Sequence, residues 1–133
     1  MKNIFLFILI IISQNLISQR LSGSWGYNIQ GSQINLYGDK VINDNYGGSS
    51  GTLKVALYAS YYQYNGGTIT GYNLFETTLG ELSGGYSYND ISDYGYISKP
   101  PGGVYFMTIL LLEYSYSGYE IVDHISMDNF ATF

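Results

Sequence analysis

The feature that most constrains the fold is a two-residue alternation of apolar and polar side chains, which returns in short runs along the chain. In the clearest run, residues 52–60, Leu53, Val55 and Leu57 occupy one phase, while the charged Lys54 lies in the other. Successive side chains of a β-strand point to opposite faces, so this run predicts a strand with one buried and one solvated face. No stretch combines helical spacing of apolar residues with capping residues at both ends, which favours an all-β fold.

Clusters of Gly, Asn, Ser and Pro separate these runs and predict turns. Seven or eight antiparallel strands result, spaced as in an immunoglobulin-like β-sandwich. The region at residues 86–97 fits either one bent strand or two short ones. The first predicted run covers residues 27–29 and continues at 33–37, and a short second strand covers 40–43. The others cover 52–60, 71–79, 86–97, 104–114 and 119–127, with a last strand or a tail at 129–133.

The first nineteen residues differ in kind from the rest. Lys2 precedes an unbroken apolar run at residues 4–12, and a short polar stretch ends at Gln19. This layout predicts an N-terminal signal-peptide helix over residues 1–19, with cleavage near 18–19. The apolar run is much shorter than the ~20 residues that a membrane-spanning helix requires. A buried or membrane-resting N-terminal helix is the alternative.

Residues 20–133 contain no linker, no repeat and no cysteine, and they predict a single domain that is secreted or held in the cell envelope. A domain of this size buries enough surface to form a core without disulfides. Four basic residues against ten acidic ones leave it a net charge of −6. This charge and the lack of a basic stripe argue against nucleic acid or an anionic membrane surface as a partner. No membrane span is expected after cleavage.

Three segments carry a resemblance to a known family. Residues 50–57 have the sequence Ser-Gly-Thr-Leu-Lys-Val-Ala-Leu and follow a Gly-rich loop after Val41 and Asn43. Residues 79–85 match Leu-Gly-x-Leu-x-x-Gly, and residues 101–105 are Pro-Gly-Gly-Val-Tyr. The pattern resembles bacterial immunoglobulin-like modules of the CARDB and fibronectin type III-like kind. The resemblance implies an accessory, adhesive or scaffold role within exported proteins and defines no catalytic residues.

Tyrosine supplies the most distinctive candidate site, since the chain contains 16 of them. Four fall within seven residues, just before a Gly-Gly turn. Surfaces rich in Tyr, Ser, Gly and Asn are typical of antibody binding loops, and flat aromatic rings also stack on sugar rings. The alternative is that tyrosine packs across the pleated strands. The predicted ligand-binding residues are Tyr58, Tyr61, Tyr62, Tyr64 and Asn65.

Residues 104–114 are apolar in both phases of the alternation. A strand of this kind either lies at the centre of the domain or presents its second face to a partner. That second face is a candidate docking surface, which would make the chain a structural or accessory subunit of an exported assembly. The predicted docking residues are Tyr105, Met107, Ile109 and Leu111.

Catalytic and metal chemistry find little support in the sequence. His124 is the only histidine and cysteine is lacking, so an ordinary zinc site is not expected. No G-x-S-x-G turn presents a nucleophilic serine. Glu113 and Asp123 lie near facing ends of a predicted hairpin, which leaves a small secreted hydrolase as an alternative.

Among metal ions, calcium is a better candidate than zinc, because oxygen-bearing side chains cluster in two turns. The two clusters are Asn43-Asp44-Asn45 and Asn89-Asp90 with Asp93. Neither matches the spaced D-x-[DN]-x-[DN]-G loop, and both residue types also form ordinary turns. The sequence therefore predicts no metal and no cofactor. It predicts a secreted, non-enzymatic binding or adhesion module that recognises a protein or a surface glycan.

Overall fold

The computed structural model describes residues 18–133. The signal peptide predicted for residues 1–19 lies outside these residues, apart from its last two positions. The described part forms seven strands: β1 (Gln19–Gln30), β2 (Gln33–Asn43), β3 (Leu53–Ser60), β4 (Tyr72–Gly80), β5 (Ser87–Tyr96), β6 (Val104–Ser115) and β7 (Gly118–Thr132). Among residues 18–133 no helix is long and apolar enough to cross a membrane.

The strands form two antiparallel sheets, which confirms the predicted all-β fold. One sheet has the order β1-β2-β5 and the other has the order β4-β3-β6-β7. The predicted strand at residues 52–60 is confirmed, and Leu53, Val55 and Leu57 are fully buried. Residues 87–96 form one strand instead of two short ones.

The first two strands are longer than their sequence indicates. A Gly38-Asp39 pair looks like a break, yet β2 continues through it because Gly38 lies directly opposite Trp25 and leaves room for the indole ring. β1 likewise begins well before residue 27. A bulge between Ser22 and Trp25 lets it continue, and the backbone N–H of Ser24 in this bulge donates to Asp39 Oδ2 at 2.8 Å.

The apolar faces of the two sheets enclose one core. Leu21, Ile34, Leu36 and Val41 from the three-stranded sheet pack in this cluster against residues of the four-stranded sheet. The predicted docking residues Tyr105, Met107, Ile109 and Leu111 belong to this cluster, and each is at most 1 % exposed. The docking hypothesis is therefore wrong about this face: the protein's own second sheet covers it, so no partner reaches it in the folded domain.

The opposite face of β6 has a smaller apolar cluster of its own. Leu110 and Leu112 pack there with Ala56 and Tyr64. The connection between β3 and β4, residues 61–71, folds over this part of the sheet and brings Tyr64 onto it. Both phases of β6 are apolar because each has a cover within the same domain.

Candidate functional site

Most tyrosine side chains point to solvent. Eleven of the 16 are exposed, whereas only Tyr64 and Tyr105 are buried. Tyrosine in this protein is therefore mainly a surface residue, and strand packing accounts for only a part of its abundance. The exposed tyrosines occupy both sheets and several turns: Tyr37, Tyr46, Tyr61, Tyr62, Tyr72, Tyr86, Tyr94, Tyr96, Tyr114, Tyr116 and Tyr119.

The predicted tyrosine loop is divided between structural and exposed side chains. Tyr64 is only 7 % exposed, its hydroxyl donates to the carbonyl of Gly67 at 2.6 Å, and its ring meets that of His124 edge-on at 4.7 Å between centroids. Desolvation by burial raises the pKa of Tyr64. Tyr58 is half-buried against the same small cluster. These two residues therefore anchor the loop.

Tyr61 is exposed, but its side chain contacts two other tyrosines. Its ring lies 5.0 Å from that of Tyr105 and 6.4 Å from that of Tyr72, between centroids. Its hydroxyl shares a hydrogen bond of 3.3 Å with the Tyr105 hydroxyl, and this bond is the main reason that the pKa of Tyr61 is raised. Of the five predicted residues, only Tyr62 and Asn65 are both exposed and uncommitted to this packing.

The two carboxylates considered for hydrolysis accept hydrogen bonds from backbone N–H groups. Glu113 Oε2 accepts a hydrogen bond from the N–H of Gly51 at 3.0 Å. Asp123 Oδ2 accepts from the N–H of Leu21 at 2.8 Å, which joins β7 to the facing sheet, and its Oδ1 accepts from its neighbour's N–H. Each acid therefore satisfies a donor that would otherwise lack a partner.

The first calcium candidate, Asn43-Asp44-Asn45, is likewise engaged in contacts within the protein. Asn43 is fully buried and bridges Leu82 and Asn45, while Asp44 pairs with Arg20 at 2.7 Å. Hydrogen bonding to Asp44 raises the pKa of Arg20. Within residues 18–133 no group of three or more His, Cys, Asp or Glu side chains is placed to hold a metal ion.

The outer face of the β1-β2-β5 sheet carries a surface that the sequence reasoning missed. Cross-strand partners form two rows, Gln30–Gln33–Tyr96 and Asn28–Asn35–Tyr94. Their neighbour Ile34 points into the core, so these six side chains project outward. We call this surface the amide–tyrosine face; its residues are Asn28, Gln30, Gln33, Asn35, Tyr94 and Tyr96. The signal that would have found it is the outward phase of three strands, with two amide side chains at two-residue spacing on β1 and on β2 and two tyrosines at the same spacing on β5.

The amide–tyrosine face lines an open hollow of about 470 Å³, with Ile34 and Gly95 at its floor. Tyr94 and Tyr96 are each 76 % exposed. Ser92 Oγ donates to Asn35 Oδ1 at 3.0 Å, which leaves the NH₂ group of Asn35 as its free donor. No residue lining the hollow carries a charge.

A second hollow, of about 550 Å³, lies where the ends of the two sheets meet. Tyr27 and Ile29 line it from β1, and Pro100 and Phe133 line it from the opposite side. Partial burial raises the pKa of Tyr27. This hollow is more apolar than the first and includes Lys99 in its lining.

No family model, curated protein or solved structure matches this chain.

Proposed function

We propose that this chain is an exported, non-enzymatic binding module that recognises a glycan or a protein at the cell surface or in the envelope. The observation that carries the proposal is the outward placement of eleven of its 16 tyrosines. A tyrosine offers a broad apolar ring with a polar tip and loses little conformational entropy on contact. A rigid double sheet that presents many such rings is suited to recognition.

An immunoglobulin-like sandwich of the fibronectin type III kind is the fold we propose for the domain. The constant-type immunoglobulin arrangement places the first, second, fifth and fourth strands in one sheet. Here the fourth strand pairs with the third instead, which leaves the orders β1-β2-β5 and β4-β3-β6-β7. The first two and the last two strands keep the sheet that the immunoglobulin arrangement gives them.

A second feature of immunoglobulin-like domains supports the same fold. Such domains often contain a tyrosine near the start of the sixth strand whose hydroxyl bonds to the backbone a few residues upstream. Tyr105 is the second residue of β6, and its hydroxyl donates to the carbonyl of Pro101 at 2.6 Å. Tyr105 is fully buried, so this bond ties the preceding turn to the core.

Export is proposed from residues 1–19, whose positive start, apolar run and polar exit have the layout of a signal peptide. Binding is favoured over catalysis because the most plausible acid pair, Glu113 and Asp123, is committed to backbone donors. A general acid or base needs a carboxyl within reach of a bound substrate.

The test uses the full chain in the form that the producing cell delivers. Fractionation with an antibody against the domain would locate it in the medium or envelope, and N-terminal sequencing would give the cleavage site. Immobilised protein would then be screened against a glycan array and against surface proteins from the same cells. We expect saturable capture of at least one ligand. A cytoplasmic product with an intact leader, or no saturable ligand in either screen, would contradict the proposal.

A further inference from the structure

We infer that the amide–tyrosine face binds a segment of a neutral glycan chain, an inference that rests on the proposed binding role. The face contains four amide side chains and two tyrosines, arranged in two cross-strand rows. The occupant follows from three properties of these side chains: their hydrogen-bonding capacity, the position of the rings, and the lack of charge.

The amides match the chemistry of sugar hydroxyls. Each amide side chain carries both a donor NH₂ and an acceptor carbonyl oxygen, and each hydroxyl both donates and accepts. On this face, the hydrogen bond from Ser92 to Asn35 is the one side-chain bond formed within residues 18–133. Asn28, Gln30 and Gln33 are exposed and keep their full capacity for a ligand.

The tyrosines supply apolar surface at the edge of the same hollow. Tyr94 and Tyr96 lie two residues apart on β5, and this spacing corresponds to roughly 7 Å along a strand. The rows cross three strands, a width of roughly 10 Å. The C–H face of a sugar ring can stack on either tyrosine while its hydroxyls reach the amides on β1 and β2, and the polar tip of tyrosine stays in solvent.

The charge of the site selects a neutral ligand. None of the residues that line the hollow is charged, so a carboxylate, sulfate or phosphate on a ligand would meet no cation there. Residues 20–133 also carry a net charge of −6, which repels polyanions. A neutral glycan chain brings no unpaired charge into the hollow and is not repelled by the net charge of the domain.

The three strands that carry the amide–tyrosine face are held in place by their pairing and by the core. All three strands are joined by continuous antiparallel pairing across the two rows, and Ile34 fixes the central strand to the core. The backbone of these strands needs no ordering when a ligand binds, so the ordering cost is confined to the exposed side chains.

The test is retardation of the full chain, as the cell delivers it, in native gels that contain a dissolved polysaccharide. Neutral probes are hydroxyethyl cellulose, xyloglucan, galactomannan, laminarin and amylose; anionic probes are polygalacturonate and heparin. We expect retardation by at least one neutral polymer and none by the polyanions. The double variant Tyr94→Thr/Tyr96→Thr keeps strand-forming residues and is expected to weaken this binding at least about tenfold.

Matched controls separate the site from tyrosine content in general. Tyr46→Thr and Tyr116→Thr remove rings that are 109 % and 107 % exposed but lie off the face, and both are expected to bind like the parent. Gln33→Ala, with both tyrosines intact, is expected to weaken binding severalfold. If the double variant shows no cooperative thermal unfolding and therefore does not fold, Gln33→Ala still tests the site.

The outcomes distinguish this inference from the proposed function. Neutral-polymer binding that survives in both Tyr94→Thr/Tyr96→Thr and Gln33→Ala would overturn the site but leave a binding module. Preference for a polyanion, or capture of proteins alone, would overturn the ligand class. Self-association in sedimentation that the double variant abolishes, with no polymer bound, would make the face an interface between copies and overturn the inference. Absence of any ligand would remove both proposals.

Discussion

The indole ring of Trp25 covers Gly38 on the neighbouring strand, where the two residues are direct cross-strand partners. Trp25 is 9 % exposed and its Nε1–H donates to the carbonyl of Ser22 at 3.1 Å, so the ring cannot move aside freely. A Cβ at position 38 would overlap the ring. Gly38 looks like a strand break in the sequence, but its lack of a side chain provides the space that a core tryptophan fills.

Gly38→Ala should therefore destabilise the domain. Overpacking of this kind costs about 1–3 kcal/mol of the free energy of unfolding, measured by urea denaturation. Gly47→Ala is the matched control, because nothing lies near a Cβ at position 47 and its backbone is not left-handed. That control is expected to be neutral or slightly stabilising. Equal effects of the two substitutions would contradict the packing described for Trp25.

Tyr105→Phe tests the hydroxyl at the start of β6. The ring stays in the core, but the bond to the carbonyl of Pro101 and the bond to Tyr61 are lost. The expected loss is about 1 kcal/mol of the free energy of unfolding. Tyr116→Phe, at a side chain with full exposure, should leave the urea midpoint unchanged. A Tyr105→Phe protein as stable as the parent would mean that the hydroxyl does not hold the turn.

Asn43→Ala tests the connection between the loops at one end of the sandwich. Asn43 is fully buried, donates from Nδ2 to the carbonyl of Leu82 at 2.8 Å, and accepts at Oδ1 from the N–H of Asn45 at 3.1 Å. Removal leaves the N–H of Asn45 without its partner and takes one of two donors from the Leu82 carbonyl, which keeps the N–H of Ser50. The loss should be about 1–3 kcal/mol in thermal or urea unfolding. Asn65→Ala, at an exposed turn, is the control and should cost little. Similar losses at both positions would show that burial of the amide is not what matters.

The ion pair between Lys54 and Glu76 predicts a pH dependence. Partial burial alone would raise the pKa of Glu76, but hydrogen bonds from Lys54 and Asn73 and the charge of Lys54 together lower it. The folded state therefore favours the carboxylate. This stabilisation is present above the unfolded-state pKa, about 4.3, and is lost as pH falls through the lowered folded-state value.

Glu76→Gln measures this contribution. Because the carboxylate is 42 % exposed, the expected loss at pH 7 is only about 0.5 kcal/mol, and it should vanish in strongly acidic solution. Glu81→Gln removes the same charge without breaking an ion pair and controls for net charge. If the free energies of unfolding of the two variants still differ at a pH where both carboxyls are protonated, the ion pair with Lys54 is not the source of the difference.

Two tyrosines near one turn show where sequence reasoning reached its limit. Tyr62 and Tyr64 have the same side chain and lie two residues apart, yet Tyr62 is 85 % exposed and Tyr64 is 7 % exposed. No local pattern separates them, because the difference depends on Leu110 and His124, which lie over forty residues away and come under the loop only in the folded domain. The amide–tyrosine face depends likewise on the register of three strands.

The sequence by itself determined the all-β character, the turns and the buried phase of β3, because alternation and turn chemistry are local and need only neighbouring residues. Only the tertiary structure decided which phase of β6 faces the second sheet, since Tyr105, Met107, Ile109 and Leu111 are as apolar as the residues between them. It also decided that the amides of β1 and β2 meet the tyrosines of β5. Strand pairing joins residues that are distant along the chain, and the free energy of burying both sheets together selects the pairing.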